Sequence, residues 1–314
     1  MAGLHPQVEA LARAATLEEA DDPAELAAMR ADYAQAAVRL GGALEPVDRV
    51  EDVIIARPGD EAGGAGLRAR AYWPKAPAQP LGAVVWLHGG GWCVGDLEGF
   101  DRVCRSLCNS SGAVVISVDY RLAPEHPFPA AVVDADLAVT WAAGHGAAQL
   151  GHDASRVVVG GDSAGGNLAT IAARHNPRAV RAQLLVYPAV DAAMDSPSYR
   201  EFGDFPLLTA DAMDWCWRTY LGGSNIAASD PDVSPLAAGD LAGAPPAFIA
   251  VAGHDVLRDE GIAYAEALEA AGVPVTLRRY EDMTHGFLRW GGVVDRTREL
   301  VAELGEQART ALRG

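Results

Sequence analysis

The chain has 314 residues, 50% of them hydrophobic and 21% charged, enough to bury a core without disulfide or metal staples. Forty-two acids against twenty-five bases leave a net charge of −17. That balance lacks the basic footprint that displaces counterions from nucleic acid, and it disfavours an anionic membrane surface.

Residues 1 to about 45 are rich in Ala, Glu and Arg. Leu4, Val8 and Leu11, then Leu26, Met29 and Tyr33, recur at helical spacing, and the pattern ends near Gly41-Gly42. The opening stretch has no apolar run and meets acid at Glu9, so no signal peptide is expected. No window reaches the ~18 apolar residues of a membrane helix, and the expected location is the cytoplasm. The carboxylate pairs Glu18-Glu19 and Asp21-Asp22 read as solvated helix faces.

Short apolar runs follow at 53–56, 68–73, 83–87, 113–118, 156–159, 183–187, 247–251 and 275–280. Helical patterns lie at 98–111, 131–144, 165–174, 258–271 and 295–312. Strand alternating with helix predicts an α/β chain with a mostly parallel sheet and right-handed crossovers. The continuous Val/Leu/Ile runs predict strands covered on both faces. The first two runs, joined by Gly63-Gly64-Ala65-Gly66, predict an antiparallel hairpin at one edge. Residues 191–235 stand apart, with Met213, Trp215, Cys216, Trp217 and Tyr220 between Pro-, Asp- and Ser-rich loops. Cys93, Cys104, Cys108 and Cys216 show neither zinc-ligand pairs nor a disulfide pattern. Cys104 and Cys108, four apart in an expected helix, read as buried small hydrophobes.

The strongest chemical signal is Gly161-Asp162-Ser163-Ala164-Gly165-Gly166, after the 156–159 run and before a helix expected to start near Asn167. It satisfies Gly-x-Ser-x-Gly in a strand–turn–helix setting, where the glycines permit a tight turn that lifts the serine hydroxyl out of the backbone. A phosphate cradle is the structural rival, but neither Gly-x-Gly-x-x-Gly nor Gly-x-x-x-x-Gly-Lys-Ser/Thr fits. The second signal, His88-Gly89-Gly90-Gly91-Trp92, follows the 83–87 run. Its glycines let backbone N–H groups face a tetrahedral oxyanion, to which the amide of Ala164 adds a donor.

A serine needs a base oriented by an acid, and in this kind of sheet the order is Ser, then acid, then His. Asp255, after the 247–251 run, and His285, after the 275–280 run, are the expected acid and base. His254 precedes the acid and is the weaker candidate base. His5, His126, His145, His152 and His175 lie in surface-like or helical contexts and read as bystanders. No His-x-x-x-His or His-x-Glu spacing occurs among the histidines, so no metal is expected.

These residues resemble the bacterial hormone-sensitive-lipase-type carboxylesterases. The resemblance rests on His88-Gly89-Gly90-Gly91-Trp92, Tyr120-Arg121-Leu122-Ala123-Pro124-Glu125, Gly161 to Asn167 and Thr284-His285-Gly286-Phe287, in order from about residue 50 to the C-terminus. Asp255-Val256-Leu257-Arg258-Asp259-Glu260-Gly261 matches a further family signature, with valine where the family has proline.

The resemblance implies an α/β-hydrolase fold: a mostly parallel eight-stranded sheet, flanking helices and a helical cap. Residues 1–45 and 191–235 would supply the cap, and 46–190 and 236–314 the core. It implies Ser163 as nucleophile, His285 as base, Asp255 as its orienter, and Gly90, Gly91 and Ala164 as oxyanion donors. No cofactor is implied. The expected partner is a small-molecule ester of short to medium chain, with a homodimer through 275–312 a further expectation. Trp92, Phe205, Leu207, Leu208, Trp215 and Phe287 are candidate pocket walls, with packing of cap against core as the other reading. A lactone or formyl-amide hydrolase, a serine peptidase and a binding module without catalysis are the rival functions; the intact triad positions speak against the last.

Overall fold

Runs of Val, Leu and Ile with no polar alternation can be strands only where both faces are covered, and the computed structural model covers them. It describes residues 3–12, 20, 22–57, 59 and 65–314. Gly63 and Gly64 of the expected hairpin turn, and Glu18, Glu19 and Asp21 of the carboxylate pairs, lie outside the described residues.

Eight strands form one sheet among the described residues: β1 (Arg49–Ile55), β2 (Leu67–Trp73), β3 (Ala83–Leu87), β4 (Val114–Val118), β5 (Val157–Asp162), β6 (Val180–Val186), β7 (Ala247–His254) and β8 (Val275–Thr284). Their order is β1-β2-β4-β3-β5-β6-β7-β8. The first two pairings, β1 with β2 and β2 with β4, are antiparallel and the others parallel. The expected edge hairpin is therefore present, with Ile55 opposite Leu67 at its closed end. Residues along β3 alternate between two cores, Ala83, Val85 and Leu87 to one face and Val84 and Trp86 to the other.

The helices are α1 (Pro6–Ala12), α2 (Pro23–Leu40), α3 (Leu97–Ser111), α4 (Ala130–Ala142), α5 (His145–Leu150), α6 (Ala164–His175), α7 (Pro197–Phe202), α8 (Ala210–Leu221), α9 (Arg258–Ala270) and α10 (Asp295–Arg313). One face of the sheet packs α3 and α10, the other α4, α6 and α9. Asp22 caps α2, its side chain accepting from Ala24 and Glu25 N–H. The buried Cys104 and Cys108 of α3 are free thiols in the core, as their spacing suggested. No helix of the described residues is long and apolar enough to cross a membrane.

The strand order reverses on either side of β3, so the crossovers that follow β3 and β5 leave on opposite sides. The carboxyl ends of these two strands form the topological switch point, where open α/β sheets place their ligand crevice. His88 follows β3 and Ser163 follows β5, which brings the two strongest sequence signals to one place.

Candidate active site

β5 ends at Asp162, and Ser163 takes φ 55°, ψ −120° before α6 begins. A non-glycine residue there costs on the order of 1–3 kcal/mol and persists only where its surroundings over-determine it. Here they do: Ser163 N–H donates to Val186 O (2.9 Å), while Ser163 O accepts from Asn167 N–H (3.0 Å) and Ala189 N–H (3.2 Å). A Cβ on Gly165 would collide with the Leu87 carbonyl at the end of β3, so glycine alone lets α6 start against the sheet. α6 thus begins at Ala164, three residues before the expected start near Asn167. The low helix propensity of Gly165-Gly166 hid its first turn.

Ser163 Oγ–H donates to His285 Nε2 across 3.0 Å, and His285 Nδ1–H donates to Asp255 Oδ2 across 2.8 Å. Both partners sit one residue past a strand, Asp255 after β7 and His285 after β8. Asp255 is buried, and its second oxygen accepts from Leu257 N–H at 3.0 Å. That side-chain-to-backbone turn shapes the segment without the family's proline, so Val256 costs the site nothing visible. The Tyr187 ring backs the imidazole at 4.5 Å. His254, the last residue of β7, faces Phe202 and Phe205 instead.

The loop after β3 is shaped by glycine. Gly90 and Gly91 take φ 132° and 56°, and Trp92 follows at 59°. Gly90 O accepts from Cys93 N–H (3.0 Å) and Val94 N–H (2.9 Å). The loop is tied down by Gly89 N–H donating to Asp162 Oδ1 (2.9 Å) and by Tyr120 Oη–H donating to His88 O (2.7 Å). The His88 ring stacks on Tyr120 at 4.3 Å, and burial lowers its pKa to about 4, so it is neutral at physiological pH. Burial pushes the Asp162 carboxyl up to about 7.

The six expected pocket walls separate into two groups. Trp92, Leu208, Trp215 and Phe287 are buried in packing, while Phe205 and Leu207 are half-buried. Trp92 stacks on Tyr220 of α8 (4.5 Å, 7°) and leans on Trp217 (4.2 Å). Phe205 lines a cavity of about 510 Å³ with Tyr199, Arg200, Asp204 and Pro206, and none of Ser163, His285 and Asp255 is in its lining. His152, expected in a surface-like setting, is instead buried, its Nε2–H donating to Ala142 O at 2.8 Å, because the turn after α5 folds back on α4.

Several supports were not assigned from sequence. In the sequence, Asp162 stands out only as part of the serine motif. Glu260, fully buried with its pKa pushed well up by burial, accepts from Val190 N–H (2.7 Å) and Asp191 N–H (3.3 Å) through Oε1. Ser198 Oγ–H donates to Val256 O at 2.6 Å, which moors α7 on the segment that carries Asp255. In the Tyr120–Glu125 motif, Arg121 and the distant Arg57 both grip buried Asp134 of α4. Among the described residues, no group of three or more His, Cys, Asp or Glu side chains is arranged to hold a metal ion.

Residues 84–289 match a family model described as alpha/beta hydrolase fold. The chain is 45% identical over 269 residues to the carboxylic ester hydrolase LipN of Mycobacterium tuberculosis, covering 81% of this chain and 69% of that protein. It is 36% identical to an ethyl acetate hydrolase of Pseudomonas putida, covering 86% and 85% of the two chains. Among solved structures, an esterase of Pyrobaculum calidifontis superposes with a TM-score of 0.87 at 39% identity, covering 98% of each chain.

Proposed function

The chain belongs to the α/β-hydrolase fold family and is a carboxylic ester hydrolase; we propose that it cleaves short- to medium-chain esters through an acyl-enzyme on Ser163. The observation that carries this reading is the unbroken run of hydrogen bonds from Ser163 Oγ through His285 to Asp255.

In this mechanism Ser163 Oγ bonds to the ester carbonyl carbon while its proton passes to His285 Nε2. The carbonyl electron pair moves onto oxygen, which the amides of Gly90, Gly91 and Ala164 receive. Each such donor is worth about 2.7–4 kcal/mol in the transition state. Asp255 holds the imidazole in the productive tautomer and stabilises the imidazolium. His285 then protonates the leaving alkoxide as the carbon–oxygen bond breaks. Water, deprotonated by His285, repeats the sequence on the acyl-enzyme and releases the acid.

The preference for modest chains is supported by α8, whose Cys216 and Trp217 close over Gly91 and Trp92 and leave little room beside the loop. That packing supports residues 191–235, and the bond from Arg30 of α2 to Cys93 O supports residues 1–45, as a cap over core segments 46–190 and 236–314. We include in the proposal a cytoplasmic location, tested by cell fractionation. A homodimer through 275–312 is also included; its support is that β8 is an edge strand, and sedimentation at micromolar concentration tests it.

Hydrolysis of p-nitrophenyl esters from acetate to palmitate, for wild type and Ser163→Ala, tests the reaction. Activity should peak at short or medium chains, and the variant should lose at least about a thousandfold. A wild type inert on every ester would sink the reading.

A further inference from the structure

The loop that carries Gly90 and Gly91 is held from outside the core by a side chain of α2. Arg30 Nε–H donates to Cys93 O at 2.9 Å, and an Nη2–H donates to Ala123 O at 3.2 Å. Its two Nη groups grip both carboxylate oxygens of Glu125, at 2.7 and 2.8 Å. Ala123 N–H in turn donates to Trp92 O at 2.9 Å. One guanidinium therefore ties three stretches together: the limb 92–94, the segment 123–125, and α2.

The held limb determines where an oxyanion donor points. Cys93 N–H and Val94 N–H both donate to Gly90 O. Gly90 C=O and Gly91 N–H belong to one planar trans peptide and point in opposite directions. Fixing Gly90 O toward the 93–94 limb thus aims Gly91 N–H, the proposed oxyanion donor, away from that limb. If Cys93 shifts, the peptide plane turns with it. We propose that Arg30 is a positioning residue for the oxyanion hole, acting through Cys93 on the Gly90–Gly91 peptide; the inference rests on the ester-hydrolase reading.

Solvent screening limits what the ion pair itself adds to the fold. The Arg30 and Glu125 side chains are 30% and 52% exposed, and ion pairs at such sites stabilise a fold little. The bidentate geometry instead pre-orders the guanidinium, so that its Nε is presented to the Cys93 carbonyl at small entropic cost.

The test compares wild type, Arg30→Met and Arg30→Lys on p-nitrophenyl butyrate. It also measures inhibition by an aryl trifluoromethyl ketone, whose serine adduct places an oxyanion in the hole. Losing a whole oxyanion donor costs about 10²–10³ in kcat, and a tilted one less, so Arg30→Met should lose about tenfold. KM should stay within about twofold, the inhibitor should weaken by the same factor as kcat, and melting should stay within about 5 °C of wild type. Arg30→Lys keeps a donor near Cys93 O without the fork and should fall between the two. Wild-type kcat in Arg30→Met, or a lowered kcat with unchanged inhibitor affinity, would overturn the inference while the hydrolase reading stands. A wild type inert on esters would overturn that reading and the inference with it.

Discussion

The two arms that converge on Ser163 are supported in different ways. Asp255 and His285 hang directly from the ends of β7 and β8, one residue past strands of the core sheet. The loop 88–94 also leaves a core strand, β3, but its far limb is closed by parts outside the sheet. Cys216 and Trp217 of α8 press on Gly91 and Trp92, and Arg30 of α2 grips Cys93. The proposed acid and base are thus fixed by the same packing that makes the fold. The proposed oxyanion loop is completed by α2 and α8, so changes in those helices should reach the chemistry through that loop and not through the imidazole.

The largest test of this contrast falls on the core-supported arm. Asp255→Asn keeps the shape of the buried side chain but favours the wrong imidazole tautomer, and kcat should fall by about 10³–10⁴ with the inhibitor's oxyanion contacts intact. A loss below tenfold on p-nitrophenyl butyrate would mean that Asp255 does not orient the base.

A smaller effect is expected on the arm closed by α2 and α8. Gly91 has φ 56°, and a Cβ there would strike Cys216 Sγ. Gly91→Ala should therefore push loop and α8 apart and lower kcat about a hundredfold, the scale of one lost oxyanion donor. Adding Cys216→Ala removes the clashing sulfur but not the backbone strain, so it should restore part of that loss and not all. Equal kcat in the single and double variants would show that α8 does not bear on the loop.

The same contrast governs what the sequence disclosed. The proposed site residues Ser163, Asp255, His285 and Gly89-Gly90-Gly91 were legible because the chemistry proposed for them needs particular residue types just after strands, and the strands could be read from hydrophobic runs. The sheet followed for the same reason: continuous apolar stretches have few other uses. The supports left no local pattern. Arg30 meets Cys93 across 63 positions and Glu125 across 95, and Glu260 meets Val190 across 70. An arginine that reaches a backbone carbonyl looks, in sequence, like any other charge on a solvated helix. The aromatic character of Trp92 and Phe287 fits a pocket lining and an interior packing contact equally, and both side chains are buried.

Asp162 joins the two arms, since it precedes the nucleophile and its Oδ1 accepts from Gly89 N–H. It also provides the smallest and most specific test. Burial pushes its carboxyl from an ordinary 3.8 up to about 7. Between those values the folded chain keeps a proton that the unfolded chain has released. The unfolded state then binds fewer protons, so this group makes stability fall as pH rises from about 4 to about 7. Above about 7 the folded carboxyl is ionised too, and the penalty is complete and constant. Asp162→Asn leaves an uncharged acceptor for Gly89 N–H and removes the titration. Its melting temperature should therefore decline less than that of wild type between pH 4.5 and 7, and run parallel to it above. Parallel curves across the whole range would mean that Asp162 is ionised throughout. The carboxyl would then hold the oxyanion loop as a charged acceptor, stabilised by the neighbouring Arg289, and not as a buried acid.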